Sequence, residues 1–250
     1  MSTSSSSDAQ TPSSDHVEGT SSLAHEAPTS DAKVYKGKPM TWFRHLAYAT
    51  GWGMTPEIED EYRRDVGDYY ADALCKRCED HRDWLLKNSP IVRFMTDQVA
   101  EVNGHLSRDS IRCLPCEKDQ AGGFHPTLGI LLCQNKLRDR NHVEDTIAHE
   151  MVHAYDHLRF QVDWDNPKHL ACSEIRASTL SGECRPWQEW MVRGQWKFLR
   201  HMEQCVRRRA TISVSGHPKV KGDMEMAGKI VDQVFDSCYK DTRPFREVYR

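Results

Sequence analysis

The sequence predicts an α+β fold that is mainly helical and carries one small sheet. Three observations support this. Apolar side chains recur at helical spacing through most of the chain from residue 40 onward, punctuated by start signals such as Asn166-Pro167. One short apolar run, Gly129-Ile-Leu-Leu-Cys133, follows a Gly/Pro-rich turn region and reads as a strand. The helical segment after it holds His149 and His153, four residues apart and therefore on one face.

The first 32 residues are dominated by Ser, Thr, Asp, Ala and Pro and contain no Lys or Arg. Such a stretch cannot bury enough surface to order itself. Residues 1–33 are therefore expected to be a disordered Ser/Thr-rich tail, and residues 34–250 a single domain with a sizeable core. The tail lacks the basic start and apolar run of a secretory signal, and it is not the Arg-rich, acid-poor stretch of a mitochondrial presequence. Without its five acidic residues, the overall charge of −3 becomes about +2 for the remainder. That near-neutral balance, with no basic aromatic-rich patch recognised, gives no reason to expect nucleic acid as a partner. No apolar run approaches the length of a membrane span, so a soluble or membrane-peripheral protein is expected.

Along the domain, residues 40–46 and 56–87 read as mainly helical. In the second stretch Tyr62, Val66, Tyr69, Ala73 and Leu74 form the expected buried stripe. Residues 91–102 read as the next helix. The segment from Gly122 to Leu128 reads as turn, leading into the strand at Gly129–Cys133. Beyond the histidine-bearing helix, a helix opened by Pro167 should end near Gly182. Pro186 then opens a long amphipathic helix in which Trp187, Trp190, Met191, Phe198, Met202 and Cys205 keep core spacing. Arg207-Arg-Arg209 reads as a solvated charge run, with contact to an anionic membrane surface as the other reading. A last helix, about 224–239, carries Ile230, Val231, Val234 and Phe235.

The chemistry is concentrated in His149-Glu150-x-x-His153. Two imidazoles on one helical face can reach one zinc ion, and a carboxylate beside the first is placed to take a proton from water that the metal polarises. The surrounding residues agree. Asn141 and Glu144 make a capping-box pattern, and Val143, Ile147, Met151, Ala154 and Leu158 share an apolar face that Ala148, Val152 and Tyr155 widen. A surface helix with two incidental histidines would not need that register. A strand beside such a helix is the arrangement zinc peptidases use, the strand holding an extended peptide by main-chain pairing; Gly129–Cys133 is the candidate edge strand. The expected fold is thus a zincin-like metallopeptidase with an active-site helix carrying HExxH.

Catalytic zinc usually takes a third protein ligand. Glu174, 21 residues past His153 on the helix opened by Pro167, is the candidate, with His169 next and Asp163, Asp165 and Asp156 as competitors. In peptidases with this spacing an aspartate commonly lies four residues further on, where Ser178 stands here. Nine cysteines span the domain. Cys75-x-x-Cys78 and Cys113-x-x-Cys116 could form two halves of a zinc ribbon, but their separation is too long, so disulfides are favoured and one thiol is left over. A Cys205–Cys238 bridge between the ends of the two C-terminal helices is expected if those helices pack antiparallel.

Further residues carry a more specific resemblance. His149-Glu-Met-Val-His-Ala-Tyr-Asp156, Asn166-x-x-His169-Leu-Ala-Cys-Ser-Glu-Ile-Arg-Ala177, Leu180-Ser-Gly182 and Cys205-Val-Arg-Arg-Arg209 stand out. So do Gly-Gly-Phe124, Leu-Cys-Gln-Asn135, Val234-Phe-Asp-Ser-Cys238 and Asp241-Thr-Arg-Pro-Phe245. Together, from about residue 57 to the C-terminus, they resemble the mitochondrial inner-membrane zinc metalloproteases that act as assembly factors for ATP synthase subunit 6. The resemblance implies a peripheral protein on the intermembrane-space face of the inner membrane. Such proteins remove the N-terminal extension of subunit 6 and separately assist its assembly into the membrane sector. It further implies His149 and His153 as zinc ligands and Glu150 as the catalytic residue, and it suits a cysteine-rich chain without a cleavable presequence. Two other readings stand beside it: an assembly chaperone with a dispensable protease site, and a nuclear protease acting on DNA-bound proteins.

Overall fold

The computed structural model describes residues 38, 41–51, 53–184 and 201–246. They lie in a compact unit that runs from Ala32 to Arg250. The expected tail at 1–33 falls outside the described residues, as do Trp187, Trp190, Met191 and Phe198 of the helix predicted to open at Pro186.

Seven helices are described: α1 Trp42–Thr50, α2 Pro56–Asn88, α3 Pro90–Glu101, α4 Arg140–Phe160, α5 Pro167–Leu180, α6 His201–Ser215 and α7 Met224–Lys240. Between α3 and α4 lie three strands, β1 Ile111–Leu114, β2 Gly122–His125 and β3 Gly129–Cys133. The helix starts follow local chemistry. Thr55 and Ser89 cap α2 and α3, each with Pro at the first helical position, and Asn166 caps α5 by accepting from the Lys168 amide.

Several expectations need correction. Helix α4 is capped by Asp139, which accepts from the His142 amide at 2.9 Å, and not by Asn141. Glu144 does not close a capping box either; its carboxylate accepts from the Ser89 hydroxyl at 2.5 Å and ties α4 to the α2–α3 junction. Val143, Ile147, Met151 and Ala154 are buried as expected, but Leu158 is exposed near the helix end. In α2 the stripe is displaced: Tyr62 is buried but Tyr69 and Ala73 are exposed, and the buried positions run instead through Cys78, Arg82 and Leu85. Only the later turns of this long helix pack on the core; its first half meets α1 instead, where Tyr48 stacks on Tyr62.

The sheet order is β1-β3-β2, with β1 parallel and β2 antiparallel to β3. Gly129–Cys133 is therefore the middle strand, not an edge, because partners occupy both of its sides. The segment read as turn supplies the edge strand β2, paired from Gly122↔Leu132 to His125↔Gly129. Two adjacent glycines hide a strand from propensity; here the hairpin through Gly129, at φ +84, imposes it.

Two hydrophobic clusters make up the core. One joins α2, α3, the sheet and α4 through Leu85, Met95, Ile111, Leu132, Ile147 and Met151. The other joins α5, α6 and α7 through Ile175, Val206, Val214, Val231 and Phe235. Cys78–Cys113 lies in the first cluster, Cys172–Cys238 and Cys184–Cys205 lie in the second, and Cys116–Cys133 ties the turn after β1 to the end of β3. Cys75 is free and half-buried. Cys78 and Cys113 thus bridge the two CxxC pairs to each other, Cys116 pairs with Cys133, and the pairs do not form zinc half-sites. The expected Cys205–Cys238 bridge is absent, because α6 and α7 both pack on α5 and each cysteine finds a partner there or in the turn after it. Helices α4 and α5 meet where the two clusters join.

Candidate active site

Helix α4 turns its apolar side to the first core and presents His149, Glu150 and His153 to a cleft of about 740 Å³. Helix α5 brings Glu174 up from the other cluster. Its carboxylate oxygens lie 3.5 Å from His149 Nε2 and 3.5 Å from His153 Nε2. Among the described residues these three form the one group whose donor atoms converge, all within 4.8 Å of one another. The competitors lie elsewhere. His169, Asp163 and Asp165 are exposed, and the His169 ring accepts from the Asp163 amide. Asp156 is buried in an ion pair with Arg176 at 3.0 Å.

Each histidine is also held from behind. His153 Nδ1 is 2.8 Å from the Ser173 hydroxyl, which donates to Asp156 at 3.0 Å. Arg176 completes this chain by donating to the carbonyl of Asp241 at 2.8 Å. His149 Nδ1 is 3.2 Å from Glu183, which in turn pairs with Arg209. With both Nδ1 atoms engaged, both Nε2 atoms are left to face Glu174. Sequence reasoning missed Glu183 and Ser173. Glu183 lies in the turn after α5 and supplies the carboxylate that Ser178 does not, yet no local motif marks it.

The electrostatics of this set follow from burial and neighbours. Burial pushes the Glu150 carboxyl up to about 7, with His149 opposing. Burial pulls His153 down to about 4. His149 moves the other way: burial opposes its charge, but Glu183 and Glu174 outweigh it. Burial also opposes the charges of Glu174 and Glu183, yet His153 and His149 hold the first at about 2, and His149 with Arg209 holds the second there. The pocket therefore concentrates carboxylate charge around two imidazoles, a donor set suited to a divalent cation. A tetrahedral zinc with bonds of about 2.0–2.1 Å separates its ligand atoms by roughly 3.4 Å. The two Nε2-to-carboxylate distances of 3.5 Å, one to each Glu174 oxygen, are close to that spacing, while one ligand atom from each residue spreads over up to 4.8 Å.

The cleft is bounded on one side by the edge strand β2 through Gly122, Gly123 and Phe124. Gly122 is required for this approach. A Cβ there would stand 2.7 Å from the Thr146 methyl and 3.4 Å from a Glu150 oxygen. On another side, Arg208, Arg209, Ile212 and Ser213 of α6 line the cleft. The Arg207–Arg209 run is therefore not simply solvated: Arg207 pairs with Asp232 over the Phe235 ring, and Arg209 holds Glu183.

Residues 76–246 match the model of the Peptidase M76 family. The chain is 54% identical over 212 residues to a mitochondrial inner membrane protease atp23 of Neosartorya fischeri, covering 84% of this chain and 88% of that protein. It is 53% identical over 200 residues to the protein of the same name from Coccidioides immitis, covering 79% and 83%. The corresponding Eremothecium gossypii protease is 51% identical over 218 residues, covering 84% and 88%. No solved structure matches the chain.

Proposed function

The chain belongs to the Peptidase M76 family, and from that premise we propose that it is a zinc metalloendopeptidase of zincin-like architecture. We place it peripherally on the intermembrane-space side of the mitochondrial inner membrane, with residues 34–250 as the catalytic domain. Its proposed task is removal of the N-terminal extension of ATP synthase subunit 6, together with assistance in assembling that subunit into the membrane sector. The observation that carries the peptidase reading is the convergence of His149, His153 and Glu174 beside Glu150 in a cleft edged by β2. The location is supported by the names of the relatives, by four disulfides that suit an oxidising compartment, and by the lack, among the described residues, of a helix long and apolar enough to cross a membrane. The same disulfides weigh against a nuclear protease. The subunit 6 substrate rests on the family resemblance of the motifs.

In this reading His149, His153 and Glu174 hold one zinc ion, which when bound supplies Lewis acidity toward water and the scissile carbonyl. Glu183 and the Ser173–Asp156 pair fix the two imidazoles so that Nε2 is the ligating atom. The β2 edge pairs with the backbone of an extended peptide and presents one peptide bond to Glu150. Glu150 takes the proton of the attacking water and delivers it to the leaving amine; burial that raises its carboxyl to about 7 suits a group that must both accept and donate near neutral pH. Glu150→Gln keeps size and shape but cannot accept a proton. Expressed in cells that lack the parent protein, it should leave subunit 6 unprocessed. Synthase assembly scored in the same cells separates the two tasks: assembly that persists assigns the chaperone role to surfaces outside the site.

A further inference from the structure

The cleft changes character along its length. Around His149 and toward the start of α4 its lining is polar and charged, with Arg138, His142, Asp145, Glu183 and Arg209. Beside His153 the lining turns apolar, with Phe124 of β2 and Trp164 of the α4–α5 loop. The Trp164 ring stands edge-on to His153 with centroids 5.8 Å apart, and the Phe124 ring lies 6.0 Å from the rings of both Trp164 and His157. Leu170, one turn before Glu174 on α5, and Ile212 of α6 add aliphatic surface to the same cleft.

These side chains are held in place but left open. Trp164 Nε1 donates to His157 Nδ1 at 3.2 Å, and the Trp164 carbonyl lies 3.2 Å from His217 Nε2. Lys219 Nζ donates to the neighbouring carbonyl of Asp165 at 2.8 Å, so the loop is pinned to the turn after α6. Yet Phe124, Trp164 and Leu170 are only half-buried, and Ile212 is 53% exposed. Fixed apolar surface facing a cleft, with a few polar groups beside it, is the usual make-up of a ligand subsite. The register of β2 gives the subsite a direction. Gly122 lies against Thr146 and Glu150, whereas Phe124 meets His157, two turns further along α4 than Glu150. Strand β2 thus runs in the same sense as α4. A peptide pairing antiparallel to it, the more stable arrangement, passes Phe124 and Trp164 with its N-terminal part and reaches the charged end with its C-terminal part.

We propose that Phe124, Trp164, Leu170 and Ile212 form the specificity subsite for a large apolar side chain on the N-terminal side of the scissile bond. A charged side chain placed there would lose its hydration against the rings. The proposal rests on the peptidase reading above and names the residues that set its sequence preference.

The test is digestion of a mixture of random decapeptides by the zinc-loaded full-length chain, with the products sequenced. Leu, Ile, Met and Phe should be enriched about fivefold or more on the N-terminal side of the cut. Leu170→Asp places a carboxylate in the subsite and should turn that preference toward Lys and Arg, a change that mere loosening of the fold would not produce. Ile212→Asp, at an exposed position, should do the same. Trp164→Ala should lower kcat/KM by about tenfold or more for a peptide with Leu at the preferred position, and change it little for one with Ser there. Absence of apolar enrichment, enrichment on the C-terminal side of the cut, or an unchanged preference in both Asp variants would overturn the proposal. A binding measurement separates it from the peptidase reading. Zinc-loaded Glu150→Gln should bind a decapeptide with Leu-Leu at its centre about tenfold tighter than the same peptide with Ser-Ser, and equal affinities would overturn the subsite. Selective binding together with no cleavage by the parent would defeat the peptidase reading and leave this one standing.

Discussion

Glu183 shows how much of this site is set by residues outside the motif. It pairs with Arg209 and reaches His149 Nδ1, so it orients the imidazole without facing the point where His149, His153 and Glu174 converge. Loss of such a supporting group typically costs 10–100-fold in metal affinity. Glu183→Ala should therefore weaken zinc binding by about 10–100-fold, Glu174→Ala by more, and His169→Ala not at all, as read by metal analysis after dialysis against graded chelator. Full zinc occupancy in Glu174→Ala would remove it from the ligand set. His149, Glu150 and His153 were legible because one helical turn fixes their relation. Glu174 was legible only through a spacing habit. Glu183 and Ser173 were not, since their roles depend on how α5 and the turn after it fold back over α4.

Among the elements, the edge strand β2 carries the sharpest constraint. Its glycines depress strand propensity, yet Gly122 is what allows the strand to run against α4 within reach of Glu150. Gly122→Val should force β2 away from Thr146 at a cost of about 1–3 kcal/mol. The domain should remain folded and zinc-loaded, while peptide cleavage falls by tenfold or more. Parent-level cleavage by this variant would show that the spacing of β2 from α4 does not position substrate. The helices were largely legible because Thr55-Pro56, Ser89-Pro90 and Asn166-Pro167 announce their starts in the local chain. Strand order was not: whether β3 lies at the edge or in the middle is decided by the parallel partner β1, from beyond the hairpin. The cap of α4 was misread by two residues because Glu144 serves Ser89 on a distant element.

At the scale of the whole molecule, two hydrophobic clusters meet across α4 and α5, and the candidate site sits at that junction. Its candidate ligands come from both sides, so the geometry depends on each cluster keeping its shape. The disulfides serve this. Cys172–Cys238 closes the longest loop, 66 residues, and constrains the unfolded chain by about 4 kcal/mol. Cys172→Ser should lower the thermal midpoint by about 10 °C, whereas Cys75→Ser, which breaks no bridge, should move it little. Equal midpoints for the two variants would argue against that bridge. That cysteines would pair was legible from their number and spacing; which ones pair was not, because pairing follows the packing of α5 against α6 and α7. At this junction His149, His153 and Glu174 are proposed to hold zinc while Glu150 moves the proton. The most direct measurement compares zinc content and cleavage of a subunit 6 N-terminal peptide for the purified parent and Glu150→Gln. About one zinc per chain is expected in both proteins, with cleavage by the parent and a loss of at least about 100-fold in the variant. Parent-level cleavage by a zinc-loaded Glu150→Gln protein, or a parent that binds no zinc, would contradict it.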